Sequence, residues 1–506
     1  MSADLVTLEH SQASVAPVRP RRWPFVVTVL LLTFALRLPA FFVDVFNSDE
    51  TFLATQAQVI RDGGSLYENA TDRKPPLVPY LYAGTFALVG STALWSVRVA
   101  AMLAVAMTAL LLASEARRRW GERAGWIAAL LFVCASVAFA PQDGQAANFE
   151  MFMMPFMTAA VVLAARDRPR AAGFAVALAT LAKQTGAATL LPVAYLLWRA
   201  RGRRGLRLGL AAFGIPLGIV AILVGPGDLV FWAVAGNGSY FGLGSATAYV
   251  AGLFAVMTFA FVACNLPILW SVPVAWHRRE RGVDTDLWLW LLSAALSVAV
   301  GLRFFGHYYL QLLPPLCLLS AGALQAMRPI FGRVTIAVTV ATAFGFTMVG
   351  FALRPWGDEP KYQGVSAYLK ARVHVSDYVF VWGHLPEIYW ASGGRPATRF
   401  LSSGFINGDW GGRPQANLTA DVPTPGARVM MMSDLRQRPP RFILDSTPAA
   451  IRGSQYHPMS SLPDLHRFVV HGYRYVRTID GIAVYERRVS EQVAASAIPA
   501  RFKDAG

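Results

Sequence analysis

Residues 47–76 read NSDETFLATQAQVIRDGGSLYENATDRKPP and lie between two apolar runs, the first at about residues 24–43. The stretch opens with an acidic pair, Asp49 and Glu50, where the first apolar run has just ended. It closes with three charged residues, Asp72, Arg73 and Lys74, followed by two prolines. Ionisable groups at membrane depth are costly and are functional candidates by default. We therefore expect the rest of the chain to hold this stretch against a bilayer.

The composition is that of a membrane protein with many spans. Of the 506 residues, 55% are hydrophobic and only 15% are charged, and the mean hydropathy is +0.41. The net charge of +16 comes largely from short basic runs between apolar segments, at 19–22, 117–119, 166–170, 199–207 and 278–281. Such runs are typical of cytoplasmic loops. They indicate membrane topology and exclude nucleic acid as the expected partner.

The basic runs predict how the chain crosses the membrane. Because a basic arm, residues 1–23, precedes the first span, the N-terminus should be cytoplasmic and the first loop, 44–92, outside. The apolar segment Leu77–Val89 is short for a crossing, and a crossing there would place the basic run at 117–123 outside. We therefore expect residues 51–90 to form interfacial helices on the outer surface.

The remaining apolar runs complete a transmembrane core over residues 24–353. Two short pieces, separated by Lys183-Gln184-Thr185-Gly186, should go out and back between the basic runs at 166–170 and 199–207. The other predicted spans are 93–114, 124–140, 149–165, 206–224, 250–274, 285–302, 308–327 and 333–353. The total is about eleven transmembrane helices, which leaves the C-terminus outside.

The composition becomes more polar after residue 353. Strand-like pieces at Tyr378–Trp382, Arg441–Leu444 and Ile482–Tyr485 alternate with helix-like pieces at 361–371, 385–392 and 427–436. This alternation predicts a small extracytoplasmic α/β domain over residues 354–490. Residues 491–506 read as a loose tail. The cysteines all lie in apolar runs, so no disulfide framework or thiolate metal site is expected.

The predicted topology places several ionisable residues near the outer leaflet: Asp49, Glu50, Asp72, Lys74, Asp143, Glu150, Lys183, Arg303 and His307. Acids and cations around one cavity suit the transfer of a group from a phosphate-bearing lipid. A carboxylate can take a proton from an acceptor hydroxyl. A Lys or Arg can hold the phosphate and stabilise the charge that grows as it leaves. Because a lipid phosphate is a good leaving group, no general acid is needed.

Two motifs resemble a known superfamily. Ser48-Asp49-Glu50 after the first span, followed by Lys74-Pro75-Pro76-Leu77, resembles the glycosyltransferase C (GT-C) superfamily, in the branch of the protein O-mannosyltransferases and the lipid A aminoarabinose transferases. The resemblance covers roughly residues 24–330. It implies a multi-span core with interfacial helices and a sugar donor linked to polyprenyl phosphate. It also implies an envelope glycan, glycolipid or protein as acceptor, on the outer face of the cytoplasmic (inner) membrane.

The resemblance also implies roles for individual residues. Asp49 would be the catalytic carboxylate and Glu50 its companion. The donor phosphate would be bound by Lys74, with Arg73, Lys183 and Arg303 as further cations. Asp143 and Glu150 would form a second acidic motif, and Asp72, His307 and Tyr308 would line the cavity. Transfer would be a direct displacement with inversion at the sugar.

The position before Lys74 bears on metal binding. Some relatives carry Glu or His there, whereas this chain has Arg73. The change removes a candidate ligand and adds a cation that can bind phosphate. The remaining acids leave room for a divalent metal ion, but no ligand spacing supports one. No metal or other cofactor is therefore assigned.

Simpler explanations exist for the same residues. The acidic pair Asp49 and Glu50 can cap a helix, and Lys183 can extend to the interface with no further role. Glu150 can also act as a helix cap, Arg303 can simply end a span, and His307 can be an interfacial histidine. For the whole chain, the alternatives are a transporter or flippase of lipid-linked sugars and a non-catalytic scaffold for envelope assembly. The absence of an internal repeat in the sequence argues against the transporter.

Overall fold

The computed structural model describes residues 23–236, 247–277, 284–352, 360–408 and 423–488. The predicted N-terminal arm up to residue 22, the basic run at 278–281 and the tail at 491–506 lie outside these ranges.

The first part of the described chain is a bundle of apolar helices, as predicted. Its α-helices are α1 (Trp23–Leu36), α2 (Ser48–Arg61), α3 (Leu77–Val89), α4 (Leu94–Trp120), α5 (Glu122–Ala135), α6 (Pro141–Gln145), α7 (Phe149–Ala165), α8 (Pro169–Ala182), α9 (Leu190–Val224), α10 (Pro226–Ala233), α11 (Thr247–Cys264), α12 (Leu266–Leu269), α13 (Val272–His277), α14 (Thr285–Ala299), α15 (Leu313–Gln325) and α16 (Pro329–Ala352).

Several of these helices suit a bilayer. In the described ranges, four helical segments are long and apolar enough to cross a membrane: Leu94–Trp120, Gln184–Val224, Thr247–Cys264 and Pro329–Ala352. Five shorter apolar helices accompany them. The long segments around α9, α11 and α16 turn large apolar side chains outward, including Ile222, Phe259 and Phe344. Large apolar side chains exposed along long helices are expected to contact lipid rather than water. The protein is a multi-pass membrane protein.

Several predicted spans are broken where the sequence disfavours a continuous helix. The first α-helix ends at Leu36, and a 3₁₀ turn with Pro39 follows, because proline cannot donate the next helical hydrogen bond. The span predicted at 250–274 is interrupted at Asn265. At the basic run 199–207 the chain reverses, as predicted: the helix from Leu190 ends at Gly202, whose φ of +55° is not helical, and a second helix continues to Val224.

The first outer loop contains the two predicted helices. The side chain of Asn47 caps α2 by accepting a hydrogen bond from the backbone N–H of Asp49 at 2.9 Å. Residues 50–57 of α2 are buried, so this helix packs into the protein along its N-terminal half. α3 ends at Gly90, whose left-handed conformation suits glycine.

Ion pairs join the end of α4 to the start of α14. Arg119 in the last turn of α4 binds Glu115 at 2.7 Å and Asp286 of α14 at 2.5 Å. Glu115 and Asp286 are both buried. The end of α4 and the start of α14 therefore lie on one side of the bundle, where the basic runs predicted them together.

The C-terminal region is a small α/β domain, as predicted. Its elements are α17 (Gln363–Lys370), β1 (Tyr378–Trp382), α18 (Pro386–Ser392), β2 (Arg395–Pro396), α19 (Gly404–Asn407), α20 (Ala427–Gln437), β3 (Phe442–Asp445), α21 (Pro463–Gly472), β4 (Tyr473–Ile479) and β5 (Ile482–Arg487). The strand order is β2-β1-β3-β5-β4. β1 is parallel to β2 and β3, whereas β3, β5 and β4 pair antiparallel. The sequence prediction missed β4, which forms a hairpin with β5.

The C-terminal domain docks on the first outer loop. The backbone N–H of Thr71 donates to the carbonyl of Arg399 at 2.7 Å, and the indole N–H of Trp390 donates to the carbonyl of Thr92 at 2.9 Å. Helix α18 also packs against α2. The segment that carries the candidate site is therefore held between the helical bundle and this domain.

Candidate functional site

An acid from the start of the first outer loop meets a lysine from its far end. The Nζ atom of Lys74 lies 3.3 Å from Oδ2 of Asp49. The side chains are 22% and 28% exposed, so the pair is accessible to a ligand. Helix α2 places Asp49 in its first turn, where the helix dipole favours a negative charge. The hydroxyl of Tyr67 fixes the returning segment by donating to the carbonyl of Lys74 at 2.7 Å.

The local charges shift the pKa values of Asp49 and Asp72, two aspartates of the first outer loop, in opposite directions. Burial by itself raises the pKa of Asp49, but the positive charges of Lys74, His307 and Lys183 outweigh burial and lower this pKa to about 2. Burial also raises the pKa of Asp72, and there the opposing charges are insufficient, so its pKa stays above the ordinary value. Asp49 is therefore the carboxylate that stays ionised most firmly.

A second acid–lysine pair lies deeper in the bundle. Lys183 follows α8 and forms an ion pair with Glu150, in the first turn of α7. Its Nζ also lies 3.8 Å from the ring centroid of Tyr308. Likewise, Lys74 Nζ lies 4.0 Å from the ring centroid of Phe149. Each lysine thus contacts a carboxylate and an aromatic ring, and both contacts favour its positive charge.

Asp143 joins three segments at the outer end of the bundle. It accepts hydrogen bonds from the Asn47 side chain at 2.9 Å and from the backbone N–H of His307 at 3.0 Å, and its carboxylate lies 2.9 Å from the His307 ring. Gly306 makes this approach feasible, because a Cβ there would lie 2.5 Å from Oδ2 of Asp143. Asp143 therefore fixes the cap of α2 and hence the position of Asp49.

The two predicted arginines occupy different places. Arg73 is buried, and its guanidinium lies 5.9 Å from the ring centroid of Phe405 in the C-terminal domain. Its carbonyl accepts a hydrogen bond from the Gln184 side chain at 2.5 Å, which links the segments that carry Lys74 and Lys183. Arg303 is buried before the His307 turn, between Leu302 and Phe304, which both have positive φ. Such backbone strain often marks functional loops.

Glu50 lies apart from its neighbour Asp49. It is fully buried and binds Arg98 through both oxygens, at 2.9 and 2.7 Å. It also accepts hydrogen bonds from the backbone N–H groups of Phe46 at 3.3 Å and Ala147 at 2.9 Å. With its acceptor sites occupied by protein donors, Glu50 supports the first outer loop, which does not fit its expected role as the companion of Asp49.

Sequence reasoning missed several residues of this region. Arg98 interrupts an apolar run, and that buried charge was a usable signal. Asn47 also had a sequence signal, because it immediately precedes a predicted helix in a capping position. His384 of the C-terminal domain had no sequence signal that linked it to this site. Its Nε2 lies 3.5 Å from the hydroxyl of Ser48, and this proximity depends on how the domain docks.

The described residues offer no group of three or more His, Cys, Asp or Glu side chains that could hold a metal ion. Within the described ranges, the site instead combines an ionised carboxylate with several cations. That combination can orient a hydroxyl or amine on one side and bind an anionic group on the other.

One family model matches part of the chain. Residues 73–227 match the family described as dolichyl-phosphate-mannose-protein mannosyltransferase. The match starts at Arg73 and includes Lys74, Asp143, Glu150 and Lys183. No curated protein sequence matches the chain significantly.

Solved structures resemble the whole chain. ArnT from Cupriavidus metallidurans, bound to undecaprenyl phosphate, has a TM-score of 0.62 at 13% identity, over 92% of this chain and 97% of that one. The Archaeoglobus fulgidus oligosaccharyltransferase, tethered to an acceptor peptide, has a TM-score of 0.57 at 12% identity, over 93% and 74%. The oligosaccharyltransferase AglB from the same organism, with an inhibitory peptide and a dolichol-phosphate, has a TM-score of 0.50 at 12% identity, over 95% and 75%. The chain therefore has the fold of these solved structures, in agreement with the GT-C fold that its two motifs predicted.

Proposed function

We propose that this protein is an integral-membrane glycosyltransferase. It moves one sugar from a polyprenyl-phosphate donor to an envelope glycan, glycolipid or protein on the outer face of the cytoplasmic membrane. The observation that carries the proposal is the contact between Asp49 and Lys74, 3.3 Å apart and partly exposed. The lipid phosphates bound in the ArnT and AglB structures support a lipid-phosphate donor.

In the proposed reaction, the acceptor oxygen or nitrogen attacks the anomeric carbon of the donor sugar. The bond from that carbon to the phosphate oxygen breaks, and its electron pair stays on the polyprenyl phosphate. Asp49 accepts a hydrogen bond from the acceptor and orients its lone pair; its low pKa makes it a weak base but keeps it ionised. The acceptor proton passes to solvent, and the sugar inverts.

The cations have separate tasks in this proposal. Lys74 binds the donor phosphate and stabilises the charge that develops on it as the sugar leaves. Lys183 lies near the same charges and adds to the positive field, and Arg73 and Arg303 support the segments around them. Glu50 and Asp143 are positioning residues, because each holds the loop that presents Asp49 through hydrogen bonds within the protein.

The test is a transfer assay on the purified full chain in detergent. A panel of undecaprenyl-phosphate-linked hexoses and pentoses is supplied, with envelope membranes from a strain lacking the gene as acceptor. We expect Asp49→Asn to abolish transfer while the variant still folds and binds undecaprenyl phosphate. The matched control is Asp44→Asn, an exposed carboxylate in the same loop, which should transfer normally.

Two results would contradict the proposal. The first is near-normal transfer by Asp49→Asn. The second is translocation of the donor across vesicles by the wild type without any glycosyl product, which would instead favour the transporter alternative.

A further inference from the structure

One histidine of the C-terminal domain lies at the candidate site. His384 follows β1 directly, and its Nε2 lies 3.5 Å from the hydroxyl of Ser48, the residue before Asp49. The intervening residue, Gly383, has a φ of +129°, and a Cβ there would collide with the hydroxyl of Ser446. The chain therefore turns sharply at the end of β1, and glycine permits the turn.

The imidazole is held by its own domain. Its Nδ1 lies 2.9 Å from the hydroxyl of Ser402, and its backbone carbonyl accepts a hydrogen bond from Arg452 at 2.8 Å. Arg452 is anchored in turn by the buried Glu387 at 2.9 Å and has a φ of +49°. A strained residue fixed by a buried ion pair indicates that this geometry is maintained by the surrounding structure.

The position of His384 in the sheet is one where ligands commonly bind. β1 and β3 are parallel, and His384 follows the carboxyl end of β1, beside Asp445 and Ser446 at the end of β3. In open α/β sheets, ligand sites lie outside the carboxyl ends of the strands. Here His384 lies near Ser48 at the N-terminus of α2, which brings this edge of the sheet next to the Asp49 loop.

His384 and Lys74 reach the Asp49 loop from different parts of the protein. Lys74 contacts Asp49 together with Phe149 of the helical bundle, whereas His384 contacts Ser48 from the extracytoplasmic domain. In the proposed function the lipid donor binds at Lys74, which leaves the C-terminal domain as the part that can contact a water-exposed acceptor.

We propose that His384 binds the acceptor, by a hydrogen bond from its imidazole to the hydroxyl or amine group next to the attacking atom. This inference rests on the proposed function and assigns the C-terminal domain to the acceptor half of the site.

The charge state of His384 fits this assignment. Burial lowers the pKa of His384 to about 4, and the positive charge of Arg452 acts in the same direction, against the carboxylates of Glu387 and Asp49. The ring is therefore neutral at physiological pH. A neutral imidazole adds no charge for a phosphate, but it can donate or accept a hydrogen bond with a neutral polar group.

The experiment separates the two substrates. Transfer is measured on the full chain while the envelope-membrane acceptor and the undecaprenyl-phosphate-linked donor are titrated in turn. For His384→Ala we expect the half-saturating amount of acceptor membrane to rise about three- to tenfold, the usual effect of one lost hydrogen bond. The donor KM and the thermal protection by undecaprenyl phosphate should stay unchanged.

Two further variants control for structural effects. His384→Gln keeps a hydrogen-bonding side chain and should recover part of the acceptor effect; it carries the test if the alanine variant fails to fold. His374→Ala changes an exposed histidine of the same domain and should behave as the wild type.

Equal shifts in donor and acceptor titrations for both His384 variants, or no shift in either, would overturn the inference while leaving the proposed function intact. If the wild type transfers sugar from no member of the donor panel, the proposed function itself fails.

Discussion

Neutralising Asp49 should affect activity, whereas neutralising the adjacent Glu50 in the same loop should affect stability. Glu50 is fully buried and binds Arg98, which also donates to the carbonyls of Ala40, Val43 and Asp44 at 2.6, 2.7 and 2.9 Å. Asp49 is 28% exposed and contacts one lysine. We therefore expect Glu50→Gln to destabilise the protein and Asp49→Asn to remove activity with little effect on stability.

The expected losses in the free energy of unfolding follow from how deeply each ion pair is buried. Removing one partner of a buried ion pair costs about 3–5 kcal/mol, because the other charge stays buried without compensation. Glu50→Gln should lie at the lower end, about 3 kcal/mol, because three carbonyls still accept from Arg98. The double variant Glu50→Gln, Arg98→Met should lose about 1–3 kcal/mol less than the sum of the single variants. For Asp49→Asn, a partly exposed pair predicts a loss of about 0–1 kcal/mol.

The assay is equilibrium unfolding in micelles of a mild detergent with increasing SDS, followed by tryptophan fluorescence, with transfer measured in parallel. Additive losses in the double variant would show that Glu50 and Arg98 are not coupled. A Glu50→Gln protein that is as stable as the wild type but inactive would return Glu50 to the role of catalytic companion and refute this reasoning.

Other predictions concern the phosphate, the pH profile, the loop geometry and metal. Lys74→Met should weaken binding of undecaprenyl phosphate about tenfold or more, measured by thermal protection, whereas the exposed control Lys370→Met should not. Lys74→Met also removes the charge that contributes most to lowering the pKa of Asp49. Burial then dominates, so this pKa rises from about 2 and the acid limb of the pH–rate profile moves to higher pH. An acid limb at the wild-type pH would contradict this. Gly306→Ala should push Asp143 from its hydrogen bonds and reduce transfer, since the added Cβ would lie 2.5 Å from Oδ2; wild-type activity would show that the loop can relax. Transfer measured with EDTA, and again after addition of Mg²⁺ or Mn²⁺, tests for a divalent ion held between a carboxylate and the donor phosphate; recovery by either ion after loss would show such a dependence.

The sequence predicted the fold class well where the signal is local. Apolar runs gave most helices of the core, and the two short pieces around Lys183 correspond to α8 and the start of α9. In the C-terminal domain the strand at Tyr378–Trp382 matches β1, whereas β4 was missed because its alternating polar residues do not resemble a buried strand. The predicted ends of the spans were less accurate. Helices end or restart at prolines and at Gly202, and these breaks leave the pattern of apolar residues unchanged.

The sequence by itself determined that the chain is a multi-pass helical protein with ionisable residues in the loop after its first apolar helix, because hydropathy and charge spacing are properties of the chain alone. It also named the residues around which the site is built. Only the tertiary structure decided which of them share a space. In the folded protein Asp49 forms an ion pair with Lys74, whereas the neighbouring Glu50 forms one with Arg98. His384, which is distant in sequence, lies near Ser48. The physical reason is that consecutive residues in a helical turn point in different directions, so their partners come from whichever segments pack on each side.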